Sequence, residues 1–114
     1  MTRHDGQRIA DIFDACDELD ALTGMRSRGD MPQWVLDRAA ERLLEIVDGA
    51  AGALSETTRA GYPDVPWRDI TRLRILLAHH YQRIDPEQVW AIVDGEIPHL
   101  AHALEARIEP GQDV

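Results

Sequence analysis

The strongest constraint on this chain is the spacing of its apolar residues. Ile9, Ile12, Phe13, Cys16, Leu19 and Leu22 recur with a period near 3.6. That period places them on one stripe of a helix and makes an alternating strand untenable. The segment is read from about Asp5 to Thr23, with Gly24 as its stop and RSRGD as a loop. A second segment opens at Pro32, a good first-turn residue. There Trp34, Val35, Leu36, Ala39, Leu43, Ile46, Val47, Ala50 and Leu54 continue the pattern. Gly49 and Gly52 lie inside it and cost about 1 kcal/mol each relative to Ala. Their expected return is close approach by another helix, or a kink.

SETTRAGYPDVP reads as a turn-rich connector. A third helix starts at Pro66 and carries WRDITRLRILLAHHY. A fourth starts at Asp85-Pro86, where Asp85 can cap and Gln88 can complete a capping box. Gly95 and Pro98 should break or bend it. Ile97, Leu100, Leu104 and Ile108 form a last stripe before a frayed tail, residues 109–114. The expectation is one all-α domain over the 114 residues, a four- to five-helix bundle with its core at about residues 7–108.

Composition removes several functions. There is no lysine; all 12 basic residues are arginine, which excludes P-loop, Schiff-base and lysine general-base chemistry. Cys16 is the sole cysteine, so no disulfide can form within the chain. The N-terminus lacks an apolar signal region and no run approaches a membrane span, so we expect a cytoplasmic protein with no membrane partner. A net charge of −9 argues against broad nucleic-acid attraction. The acids crowd the first helix as Asp11, Asp14, Asp17, Glu18 and Asp20, a solvated face or a dock for a basic partner. From Arg68 to Arg83 the balance reverses: Arg68, Arg72, Arg74 and Arg83 stand against Asp69 alone, beside His79 and His80.

The third helix carries apolar residues on two sides. Ile70, Leu73 and Leu77 make one face; Ile75 and Leu76 point nearly opposite. Such a helix is buried on both sides. A second copy of the chain is the simplest cover, which predicts a homodimer with this helix near the two-fold axis. Arg74 and His79 are five apart, about 140° on a regular helix. One straight helix would not aim both at one phosphate, so either the helix loosens or two copies bring their groups together.

RILLAHHY, Arg74 to Tyr81, resembles the R-x4-H-x-Y motif of HEPN-domain ribonucleases of the HepT type. YPDVPWRDITRLR is similar to the family's segment leading into that helix, and HHYQRIDPEQVWAIVDGEIPHL to the segment that follows. RIADIFDACDEL and RLLEIVDGAAGAL match its first two helices less specifically. The resemblance implies a HEPN-like bundle acting as a homodimeric, metal-independent endoribonuclease, the toxin half of a bacterial toxin–antitoxin pair, with no cofactor. It also implies a nucleotidyltransferase antitoxin of the MNT type, which silences the toxin by adding AMP to the motif tyrosine, here Tyr81. Two positions depart from the pattern. Ile75 replaces a polar residue, often Asn, and cannot donate to a phosphate. Asp48-Gly49-Ala50 stands where the family often has Gly-Glu-Ala.

The chemistry suits these residue types. Histidine titrates near neutrality, so His79 can move protons for the RNA 2′-hydroxyl and the leaving oxygen. Arginine binds two phosphate oxygens at once, so Arg74 can stabilise the crowded phosphorus centre. Arg72 is the reserve phosphate binder, with Arg68, His80 and Arg83 as further RNA contacts. His79 could instead be an interface histidine bonded to a carbonyl, Arg74 an ion-pair partner for an acid on another helix, His80 structural, and Tyr81 a packing tyrosine. Trp67 and Trp90 read as packing. His99 and His102 have i,i+3 spacing but no third metal ligand, and His4-Asp5 sits at an end expected to fray. A rival reading, favoured by Ile75, is a catalytically degenerate HEPN dimer that binds a nucleotide or a protein.

Overall fold

The computed structural model describes residues 3–78 and 85–107. Every regular element among them is helical: α1 (Arg3–Arg28), α2 (Gln33–Gly52), α3 (Glu56–Ala60), α4 (Trp67–Leu77), α5 (Pro86–Ala91), a π-turn (Ile92–Glu96) and α6 (Ile97–Glu105). The all-α bundle expected from the periodicity is therefore the fold.

α1 passes through Gly24, where the sequence suggested a stop, and ends at Arg28. The true stop is Gly29, at φ 68°. Its N–H reaches the Arg26 carbonyl at 3.2 Å and the Asp30 N–H reaches that of Met25 at 3.1 Å, a Schellman closure. The extra turn is held from outside. Leu22 and Met25 pack against the core. Arg26 bonds both carboxylate oxygens of Asp94 at 2.8 and 3.0 Å and lies 4.1 Å over the Trp90 ring. These contacts outweigh the ~1 kcal/mol cost of an internal glycine.

The start of α1 also differs from expectation. Asp5 is not at a frayed end but 2% exposed. It accepts from Ser55 Oγ and Thr58 Oγ1, both at 2.7 Å, with Arg8 at 3.5 Å. Ser55 also caps α3, accepting the Thr58 N–H at 3.2 Å. That double use explains why part of the expected connector is helical: the cap starts a turn and the buried carboxylate anchors it.

α2 buries Leu36, Ala40, Leu44, Val47 and Ala51, a single stripe at spacings of three and four. α1 meets it with Ile9, Ile12, Ala15, Cys16 and Leu19, and α4 with Ile70, Leu73 and Leu77. Trp34 lies two residues before Leu36, on the far side of the helix, and is 68% exposed rather than part of the stripe. Trp90 is buried as expected, its indole N–H donating to Asp37 at 2.7 Å. Burial, with Asp17 adding to it, pushes the Cys16 thiol up to about 11, which leaves it unreactive.

Asp85 caps α5 by accepting the Glu87 N–H at 3.0 Å, with Pro86 in the first turn. The bend expected at Gly95 and Pro98 takes the form of the π-turn, and the helix continues into α6. A widened turn carries the chain past Pro98, which has no N–H to give the ladder. Ile97, Leu100 and Leu104 are buried on α6. Ile108 and the tail lie outside the described residues. No helix among the described residues is long and apolar enough to cross a membrane.

Replacing Asp5 by Ala removes the acceptor of two hydroxyls, one of them buried. The expected loss is about 1–3 kcal/mol of folding stability, read as a lower urea midpoint. An unchanged midpoint would show that α3 is held by its cap alone.

Candidate functional site

The motif helix is placed by its apolar residues. Ile70, Leu73 and Leu77 lock one side of α4 into the core. Trp67, Ile70 and Arg74, at i, i+3 and i+7, form an adjoining stripe. That stripe lines a recess of about 140 Å³ with Asp48, Ala51, Gly52 and Arg59. On α2, Asp48 and Gly52 are one turn apart and share a face.

Arg74 lies over this edge. Its Nε is 3.8 Å from Asp48 Oδ2, its side chain 69% exposed and that of Asp48 19%. The separation exceeds a hydrogen bond, and an ion pair this exposed is weak. Asp48 thus tethers the rear of the guanidinium loosely, and Arg74 makes no hydrogen bond among the described residues. Gly52 makes room: a Cβ there would stand 2.7 Å from Arg74 Nη2. The close approach expected at the glycines occurs at Gly52, though to an arginine tip. Gly49 has nothing within 4 Å of a Cβ and faces open space, so that expectation fails there.

Arg59 reaches the recess from α3. Its Nη2 donates to the carbonyls of Ala51 at 3.1 Å and Gly52 at 3.3 Å, closing the end of α2. The Trp67 indole donates to the Arg59 carbonyl at 3.1 Å. Trp67 is therefore half-buried packing, as expected, and also a wall of the recess.

The other described arginines of the basic window, Arg68 and Arg72, do not line the recess beside Arg74. Arg72 is exposed and 3.6 Å from Asp69 on its own helix. Arg68 is exposed in the first turn of α4. His79, His80, Tyr81 and Arg83 lie outside the described residues, so the Arg74–His79 relation is not part of this geometry. His99 borders a different groove, of about 360 Å³, with Asp69, Ile70 and Leu73. His102 Nδ1 faces Glu105 at 3.8 Å. Among the described residues no three His, Cys, Asp or Glu side chains could together hold a metal ion.

The sequence reading missed two members of the site. Asp48 could have been found, because Glu45, Asp48 and Gly52 fall at i, i+3 and i+7 on α2. Arg59 carried no signal; it sat in a stretch read as a connector.

A family model described as ribonuclease HepT-like matches residues 12–107. The chain belongs to this family. A protein of Methanocaldococcus jannaschii, provisionally named an RNase, is 38% identical over 72 residues, 63% of this chain and 60% of its own length. "Probable ribonuclease HepT" of Thermococcus cleftensis is 33% identical over 67 residues, 59% of this chain and 61% of that one. A further M. jannaschii protein, also provisionally named an RNase, is 24% identical over 102 residues, covering 86% of this chain and 88% of its own. The chain thus spans about three fifths of the first curated relatives it matches. No solved structure matches it. In this chain the residue at the edge of α2 facing Arg74 is Asp48.

Gly52→Ala is expected to melt no lower than the parent chain. The alanine gains up to about 1 kcal/mol of helix propensity, and the atom it meets is the tip of a flexible side chain. The Arg74 Nε–H resonance should shift as the guanidinium is displaced. A clear drop in melting temperature would mean that backbone had to move.

Proposed function

We propose that this chain is an RNA-cleaving toxin of the HepT type that works without a metal. The observation that carries the reading, beyond family membership, is Arg74. It is mostly exposed, has no hydrogen bond among the described residues and is tethered only through Nε, at 3.8 Å, by Asp48. Its two Nη groups are the fork that binds a phosphate.

The reaction follows from the substrate. The RNA 2′-oxygen attacks the adjacent phosphorus, the 5′-oxygen leaves, and a 2′,3′-cyclic phosphate remains. His79 takes the 2′-hydroxyl proton or supplies one to the leaving oxygen, worth about 10²–10⁴-fold. Arg74 stabilises the added charge on phosphorus, worth about 10²–10³-fold. Arg72, Arg68, His80 and Arg83 contact the RNA strand.

The active unit in this reading is a homodimer. Ile75 supports it: the residue lies opposite the buried face of α4 and is 71% exposed, an apolar surface suited to a second copy. The partner antitoxin is an MNT-type nucleotidyltransferase. It transfers AMP from ATP to the Tyr81 hydroxyl, releasing pyrophosphate and setting a bulky anion beside the motif. The same exposed Ile75, apolar where a polar residue would help hold phosphate, favours the second reading: a degenerate dimer that binds a nucleotide or protein without cleaving RNA.

The test is purified protein with labelled RNA and EDTA. Cleavage to cyclic-phosphate ends is expected. Arg74→Ala and His79→Ala should each lose at least about 10²-fold in rate while melting like the parent. Normal cutting by both variants would sink the assignment. Nucleotide binding with no cleavage by the parent chain would select the second reading.

A further inference from the structure

The recess beside the motif arginine holds more positive charge than it neutralises. Arg59 and Arg74 both line it, and Asp48 is its sole carboxylate. Two guanidinium groups facing one small concavity favour an anion there, although the 69% exposure of Arg74 weakens their mutual repulsion. Asp48 pairs with Arg74, while the hydrogen bonds of Arg59 go to backbone carbonyls of α2.

Arg59 is also under-used. A guanidinium has five N–H donors. The Nη2 group serves the Ala51 and Gly52 carbonyls. Nε is buried with no acceptor, and Nη1 has none among the described residues. Closing the end of α2 needs a donor or two, which a shorter amide could supply. A cation there is favoured by the helix dipole, but those bonds use one nitrogen of the fork and leave the buried Nε without an acceptor, which costs stability. The carbonyl bonds fix the side chain in place, so engaging an anion freezes little further motion.

We propose that Arg59 is a second phosphate-binding residue, holding a phosphodiester group of the bound strand across the recess from Arg74. The absence of a side chain at Gly52 lets the Arg74 Nη2 group come close to the end of α2, since a Cβ there would stand 2.7 Å from it, and Trp67 also lines the recess. The identification of the anion as RNA phosphate rests on the function proposed above; the anion site itself rests on the recess.

The experiment measures binding of a fluorescent 2′-O-methyl RNA, which lacks the nucleophile and stays intact, over a range of salt. Arg59→Gln retains an amide donor for the α2 carbonyls and removes the charge. It should bind more weakly, with a slope of log affinity against log salt shallower by about 0.7, the value for one phosphate contact on a single strand. Arg59→Lys keeps the charge and should keep the parent slope. Parent affinity and slope in the Gln protein would overturn the proposal, as would a Lys protein as shallow as the Gln one.

Should the Gln protein fail to fold, the parent chain is titrated with the same RNA while the arginine Nε–H resonances are followed. Arg59 and Arg74 are expected to shift together; an unmoved Arg59 resonance overturns the proposal. If the parent binds no RNA, inorganic phosphate decides. Joint shifts of Arg59 and Arg74 would keep the anion site and discard the RNA reading, and no shift would discard both. Parent cleavage of RNA combined with an unaltered Arg59→Gln protein would remove this inference alone.

Discussion

The placing of α4 depends on α2, whose buried stripe also packs against α1. Leu36, Ala40, Leu44, Val47 and Ala51 are all buried, with α1 packed along one flank and α4 along the other. A fully buried Leu or Val contributes about 1.5–3 kcal/mol relative to exposure, so the large residues supply the driving force. The alanines supply proximity, letting adjacent helices lie close. Sliding α4 along α2 would lift Leu73 and Leu77 out of their seats. The position of Arg74, one residue after Leu73, follows from that apolar register and from no polar contact of its own.

Polar groups then shape the margin that packing leaves. A five-residue helix such as α3 cannot persist alone, since nucleation costs more than its few bonds return. It is held at one end by the Ser55 cap and the Asp5 carboxylate, and at the other by Arg59 on the last carbonyls of α2. A chain of dependence results. The first turn of α1 fixes α3, α3 presents Arg59, and Arg59 closes α2 beside Gly52. The recess beside Arg74 is thus lined from three helices, α2, α3 and α4, and its most remote support is a carboxylate at position 5.

Periodicity revealed what hydrophobic burial decides. The long helices and the starts at Pro32, Pro66 and Asp85 could be read from spacing, whereas the second buried face expected for α4 is not seen within the single chain, where Ile75 is 71% exposed. What stayed hidden depends on partners distant in sequence. Gly24 looked like a stop because nothing nearby shows that Arg26 will find Asp94 and Trp90. Asp5 looked frayed because its hydroxyl donors lie some fifty residues away. Trp34 was over-counted because hydrophobicity alone does not say which side of a helix is turned inward. The site was half legible: Arg74 came from a motif, Asp48 needed the helix face to be drawn, and Arg59 needed the fold.

Ile75 ties geometry to the functional reading. On a regular helix it stands about 160° from Leu77 and about 140° from Ile70, so it cannot join the core that holds α4. The homodimer proposed above would cover it with its counterpart on a second copy and would set two Arg74 side chains on either side of a two-fold axis. That cover would give the apolar residue in the motif a role that no neighbour within the chain gives it, because the core that holds α4 lies on the other side of the helix.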